Sequence, residues 1–188
     1  MDNMTFEIRK PGQYKTSQWS GGTTTELYIY PEGSSLQNLD FQFRISTARV
    51  EIEESSFTVF PGVKRIILPL QGEMNLIHND DKPIHLKPYE QHSFAGDSIT
   101  KCIGKVTDFN LMTRGNNKGT IEVIHLQPGE QYNTILINSL IYCFSGQIRI
   151  ENQHLTTHET LVLNSAIEQS LHLKAISKTM LIQVELKF

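Results

Sequence analysis

Apolar and polar residues alternate with a period of two near the end of the chain. Ile182, Val184, Leu186 and Phe188 interleave with Gln183, Glu185 and Lys187, which predicts a strand with one buried face. Phe41, Phe43, Ile45 and Thr47 interleave with Gln42, Arg44 and Ser46 in the same way. Met74 and Leu76 follow Gly72 among polar neighbours, and the run Gln147, Ile148, Arg149, Ile150 follows Gly146. Short unbroken apolar runs at 135–137, 140–144 and 161–163 predict strands covered on both faces. No window keeps an apolar stripe of helical period with a cap at each end. Turn chemistry is dense instead, at Pro31-Glu32-Gly33, Pro61-Gly62, Asn79-Asp80-Asp81, Gly115-Asn116-Asn117 and Pro128-Gly129. Many short strands between polar turns predict an all-β sandwich or barrel.

A repeat lies within this rhythm. The string from Ile67 to Met74 and the string from Tyr142 to Ile148 each run from an apolar strand through glycine into an alternating strand. Downstream, His85-Leu86 precedes Glu90, and His154-Leu155 precedes Glu159, at one offset. The first copy is longer, with Asn79 to Pro83 extending a hairpin loop. Two copies of one hairpin unit predict two jelly-roll β-barrel modules in one chain, residues 1–115 and 116–188, with terminal segments free to cross between them.

Composition narrows the function. The chain has 188 residues and a formal net charge of −3, without the basic surplus that a nucleic-acid binder needs to neutralise phosphates. No apolar run approaches the roughly 20 residues that span a bilayer, so no membrane partner is expected. The opening MDNMTFEIRKPG has no apolar leader core, and a cytoplasmic location is the expectation. Cys102 and Cys143 then read as reduced core residues. Edge-strand pairing would allow a homodimer.

The segment Trp19 to Glu26 reads Trp-Ser-Gly-Gly-Thr-Thr-Thr-Glu. Its glycines permit close backbone approach to a ligand, its tryptophan can wall a pocket, and Thr25 and Glu26 offer polar contacts. The alternative is a Gly-Gly turn into an edge strand with Trp19 anchored in the core. Arg65 follows the turn Phe60-Pro61-Gly62. It either projects inward, where its fork suits a carboxylate, or lies exposed at a barrel rim. Arg44 lies opposite Phe43 and Ile45, facing solvent or a polar lumen. In the run Asp108 to Arg114, Asp108, Asn110 and Met112 share one face and Phe109 and Leu111 the other. A buried Asp108 would need a cation, which Arg44 or Arg65 could supply.

No His-x-His pair exists. His78, His85 and His92 are seven apart, which along an extended strand sets successive members on opposite faces. Neither a metal nor another cofactor is expected. There is no Gly-x-Ser-x-Gly elbow, P-loop or dinucleotide fingerprint.

Several of these strings together resemble the HutD/Ves family of bacterial proteins, linked to histidine utilisation or stress. They are Trp19 with Gly21-Gly22 and Thr24-Thr25-Glu26; Arg44-Ile45-Ser46 with Ala48; and Phe57-Thr58-Val59-Phe60-Pro61-Gly62 with Arg65. Further on come Phe94 with Gly96-Asp97, and the run Asp108-Phe109-Asn110-Leu111-Met112-Thr113-Arg114. Many members have Thr-Arg-Glu at the Thr24-Thr25-Glu26 triplet. The resemblance implies two cupin barrels and a metal-poor pocket for a small anionic metabolite of histidine breakdown, such as formylglutamate or urocanate, in a regulatory or accessory role. The expected ligand contacts are Trp19, Thr25, Glu26, Arg44, Arg65, Asp108 and Asn110. The competing expectation is a metal-independent isomerase or hydrolase acting on a small carboxylate or sugar-like substrate, with Glu26 or Asp108 as base.

Overall fold

The structure, a computed structural model, describes residues 6–165 and 167–188. The first five residues of the segment read as lacking a leader lie outside it. Among the described residues there is no α-helix, and no helix long and apolar enough to cross a membrane. The order opens with β1 (Glu7–Arg9), a 3-10 turn, β2 (Lys15–Trp19), β3 (Gly22–Tyr30), β4 (Phe43–Val50), β5 (Glu54–Ser56) and β6 (Val63–Gln71). It continues with β7 (Met74–His78), β8 (Ile84–Leu86), β9 (His92–Ala95), β10 (Thr100–Ile103) and β11 (Val106–Arg114). The remainder is β12 (Lys118–Leu126), β13 (Gln131–Leu136), β14 (Ser139–Ser145), β15 (Gln147–Ile150), β16 (Gln153–Thr156), β17 (Thr160–Leu163), β18 (Gln169–Ala175) and β19 (Thr179–Lys187).

Two compact units result. One is Lys15–Asn117, with a six-stranded sheet in the order β2-β3-β4-β11-β6-β9 and a four-stranded sheet in the order β5-β10-β7-β8. The other joins the segment ending at Tyr14 to Lys118–Phe188, with sheets ordered β1-β17-β14-β19-β12 and β13-β18-β15-β16. The opening segment belongs with the later residues because β1 pairs with β17, Ile8 opposite Leu161. The Tyr14 hydroxyl also lies 2.7 Å from Thr160 Oγ1.

The sequence repeat is a structural repeat. Gly72 and Gly146 both sit at positive φ, +79° and +91°, and a Cβ on either would meet a backbone carbonyl oxygen, Lys105 at 2.6 Å or Lys178 at 2.4 Å. Only glycine fits such a turn without displacement. The repeated glutamates do identical work. Glu90 accepts from the Lys87 N–H, and Glu159 from the Thr156 N–H, each at 2.9 Å. Tyr89 N–H donates to the Pro69 carbonyl as His158 N–H donates to that of Cys143. Pro69 and Cys143 each lie three residues before the turn glycine.

The two interiors differ. That of the second unit is filled by aliphatic side chains, among them Ile141, Ile148, Leu161, Leu163, Leu171 and Leu181, with Cys143. The first unit has a smaller apolar cluster of Val50, Ile67, Met74, Leu76, Leu86, Cys102 and Val106. Both cysteines are free and buried. One expected buried run is only partly so: Ile135 on β13 is exposed, while Leu136 is buried.

Candidate functional site

The six-stranded sheet builds the site through its register. On one face, Ser17 of β2 lies opposite Thr24 of β3, Thr24 opposite Ala48 of β4, and Ala48 opposite Asp108 of β11. The next row holds Glu26, Ser46, Asn110 and Ile67, and the third Arg44, Met112 and Arg65. Side chains two apart along a strand share a face, so each strand contributes to successive rows. With the exception of Glu26, these residues line a cavity of about 400 Å3, within Lys15–Asn117. Phe57, Thr58 and Phe60 complete the wall from the segment after β5.

The central strands carrying this face, β4 and β11, are largely buried on both sides. Phe43 and Ile45 are fully buried, yet Arg44 and Ser46 between them are 5% and 3% exposed. Of the two orientations open to Arg44, solvent or a polar lumen, the fold takes the second: the polar face of β4 is the cavity wall. Arg44 Nε donates to Glu26 Oε2 at 2.7 Å, and its Nη1 to Ser46 Oγ at 3.2 Å. This charge is already answered by protein.

Arg65 is held differently. It is buried, makes no ion pair within 4 Å among the described residues, and its Nε has no hydrogen-bond partner there. Its guanidinium carbon lies 4.8, 6.0 and 5.0 Å from the ring centres of Phe57, Phe60 and Phe94. Aromatic faces attract a cation without neutralising it. Burial lowers the Arg65 pKa to about 10, with Asp108 opposing the shift, so the group stays charged at neutral pH.

Asp108 and Asn110 face the same cavity. Both are buried, and Oδ1 of each has no hydrogen-bond partner among the described residues. Loss of hydration pushes the Asp108 carboxyl up to about 7, against the pull of Arg65. Buried polar atoms are almost always satisfied in native proteins, so acceptors and a cation left open around one cavity call for a partner inside it, water or ligand. The cavity's cations, hydroxyls, amide and single carboxyl are a poor donor set for a transition metal.

Trp19 lines the cavity and is 36% exposed, so it is a rim wall and not a core anchor. Its ring covers Gly21, where an added Cβ would fall 2.1 Å from a ring carbon. Thr25 is the predicted contact that the fold places elsewhere. Its hydroxyl lies 3.0 Å from that of Thr16 in an exposed pair, and the neighbouring Thr24 lines the cavity in its place. Glu26 stands behind Arg44. Of the lining residues passed over in sequence, Ser46, Ala48 and Val50 were legible as the same-face partners of Arg44, while Leu36, Phe57 and Thr58 carry no periodic signal.

The histidine spacing also misled. His78 ends β7 and His92 begins β9, in different sheets, and their Nε2 atoms are 3.0 Å apart. Period-two logic holds within a strand, and here a hairpin intervenes. Thr100 Oγ1 donates to the Ser98 carbonyl and lies 2.8 Å from His78 Nδ1. Of the two facing Nε2 atoms, one carries the hydrogen that the other accepts. Phe94 lies beside both rings, at 4.7 Å from His78 and 5.8 Å from His92. His85 is apart, facing Glu73 at 3.1 Å.

A family model described as HutD matches residues 12–181. A conserved protein of unknown function from Pseudomonas aeruginosa PAO1, PA5104, is 24% identical with a TM-score of 0.82, covering 98% of this chain and 100% of its own. HutD from Pseudomonas fluorescens SBW25 is 20% identical with a TM-score of 0.74, at 98% and 100% coverage. The bacterial pirin YhhW from Escherichia coli, solved with nickel(II), is 10% identical with a TM-score of 0.72, at 96% and 98% coverage.

Proposed function

The chain belongs to the HutD family and has a cupin-type all-β fold, and from that premise we propose that its first barrel binds a small carboxylate metabolite in a regulatory or accessory role in the cytosol. The observation that carries the reading is Arg65: a buried guanidinium boxed by three phenylalanines, without an ion pair among the described residues, beside the open acceptors of Asp108 and Asn110. A desolvated cation gains most from an anion that arrives with its own oxygens. Trp19 walls the entrance, and Arg44 is held in place by Glu26. N-formylglutamate and urocanate suit the site in chemistry, since each couples a carboxylate to an N–H that Asn110 Oδ1 can accept.

The test is a thermal-shift screen with millimolar N-formylglutamate, urocanate and glutamate, followed by calorimetric titration. A ligand that binds only the native state raises Tm by mass action. A flat response to all three, in wild type that is demonstrably folded, overturns the ligand class.

A second reading is favoured by one feature, the Asp108 carboxyl near neutrality beside Arg65. A carboxyl of that pKa and a neighbouring cation can move a proton at a carbon next to a carboxylate. Its signature is turnover, followed by mass spectrometry, that disappears in an Arg65→Ala variant.

A further inference from the structure

Resting on the anion-binding reading above, we propose that this cavity takes up its carboxylate together with one proton, which settles on Asp108, so that binding is proton-linked and fails progressively in alkaline solution. The charges lining the cavity lead there. Arg44 is matched by Glu26 at 2.7 Å. That leaves Arg65 and Asp108, neither of which forms an ion pair within 4 Å among the described residues, as the remaining charged pair on the cavity wall. While Asp108 is ionised, the two sum to zero. A carboxylate that seats on Arg65 brings a second negative charge into the space that Asp108 faces. Two carboxylates facing one cavity repel, and beside a single cation not already paired one of them is driven to take a proton.

Asp108 is the group that yields. It is 2% exposed, and its Oδ1 has no hydrogen-bond partner among the described residues, so the pull of Arg65 is outweighed by the loss of hydration. Protonated, it gains an O–H that can donate to the incoming carboxylate, turning a repulsive neighbour into a hydrogen-bond donor. The other titratable and charged groups around it do not compete. Arg65 of β6 stays cationic at neutral pH, Arg44 of β4 and Glu26 of β3 are engaged with each other, and Cys102 of β10 is held up near 12. Asn110, next on the same face of β11, is uncharged. The repeat gives an independent contrast. The position matching Asp108 in the second barrel is Leu181, opposite Cys143 as Asp108 is opposite Pro69. The fold tolerates an apolar residue there, so the carboxyl is not required by the architecture.

The test uses the whole protein with N-formylglutamate, and with acetate as a second, simpler probe; both stay ionised across the range used. With the free carboxyl titrating near 7, affinity is expected to be nearly flat around pH 6 and to fall about tenfold per unit above about pH 7.5. Calorimetry in phosphate and in Tris, whose ionisation heats differ, is expected to give uptake of about one proton per site near pH 8.5 and about 0.1 near pH 6. In Asp108→Asn, a neutral mimic, the slope is expected to vanish, with binding about 30-fold tighter than wild type near pH 8.5. The two-buffer measurement needs no variant, so it decides the matter even if Asp108→Asn folds poorly. Binding that is flat with pH and exchanges no proton overturns the proton linkage and leaves the anion site standing. Absence of binding by either probe at every pH overturns both.

Discussion

Asp108 and Leu181 occupy one position in the two halves of a repeat: each lies on an inner strand opposite the residue three before a turn glycine, Pro69 or Cys143. The aliphatic copy sits in a filled interior, and the carboxyl copy lines a cavity. The same hairpin frame, marked by Glu90 and Glu159 closing identical turns, has been packed once for stability and once around empty space.

Arg65 is expected to matter for ligand and not for fold. It has no ion pair among the described residues to lose, and its removal ends a buried, half-satisfied charge. Arg65→Met is expected to bind N-formylglutamate more weakly by roughly 2–4 kcal/mol, with Tm unchanged or raised. A sharp fall in Tm would mark the residue as structural.

Glu26 is expected to show the opposite pattern. Glu26→Ala leaves Arg44 buried without its partner at 2.7 Å. The cost is expected to be about 1–3 kcal/mol, below that of a fully buried pair because Glu26 keeps some contact with water. Urea unfolding should report it as a lower midpoint at constant slope.

Asp108 makes stability fall as pH rises. Its folded pKa, near 7, lies above the ordinary carboxylate value, so the folded state holds a proton that the unfolded chain has released. The penalty begins above about pH 4, grows to about pH 7 and is then constant, on the order of 4 kcal/mol. Asp108→Asn is expected to be more stable than wild type at about pH 8 and indistinguishable near pH 4, as read from urea midpoints.

The histidine pair acts in the acid direction. Burial lowers both pKa values, and for His78 the neighbouring His92 and Arg65 lower it further. The unfolded chain then binds more protons below about pH 6.5, and stability is lost as pH falls through that value. His92→Leu, which copies Leu161 at the matching place in the second unit, is expected to remove part of that loss. NMR titration of the ring protons in wild type should show both histidines titrating below the ordinary histidine range.

Much of this was legible before any coordinates. Alternation identified Asp108, Asn110 and Met112 as one face of β11, and Arg44 as opposed to Phe43 and Ile45. The glycine turns and repeated glutamates marked the duplicated hairpin. Which of two adjacent threonines reached the cavity was not legible. Thr24 and Thr25 necessarily point to opposite sides, and only the pairing of Thr24 with Ala48, in the row of Asp108, says which side is inside.

The division has a physical basis. Local sterics and the period of the backbone determine which side chains share a face, and these are properties of the chain alone. Whether that face meets solvent, a neighbouring sheet or a cavity depends on what the rest of the molecule lays over it. Arg44 became a cavity residue because β4 is covered on both sides. His78 and His92 met because two sheets brought the end of one strand to the start of another. Arg65 acquired its box of phenylalanines from segments some eight residues before it and thirty after. Those approaches are between residues remote along the chain, and no periodicity encodes them.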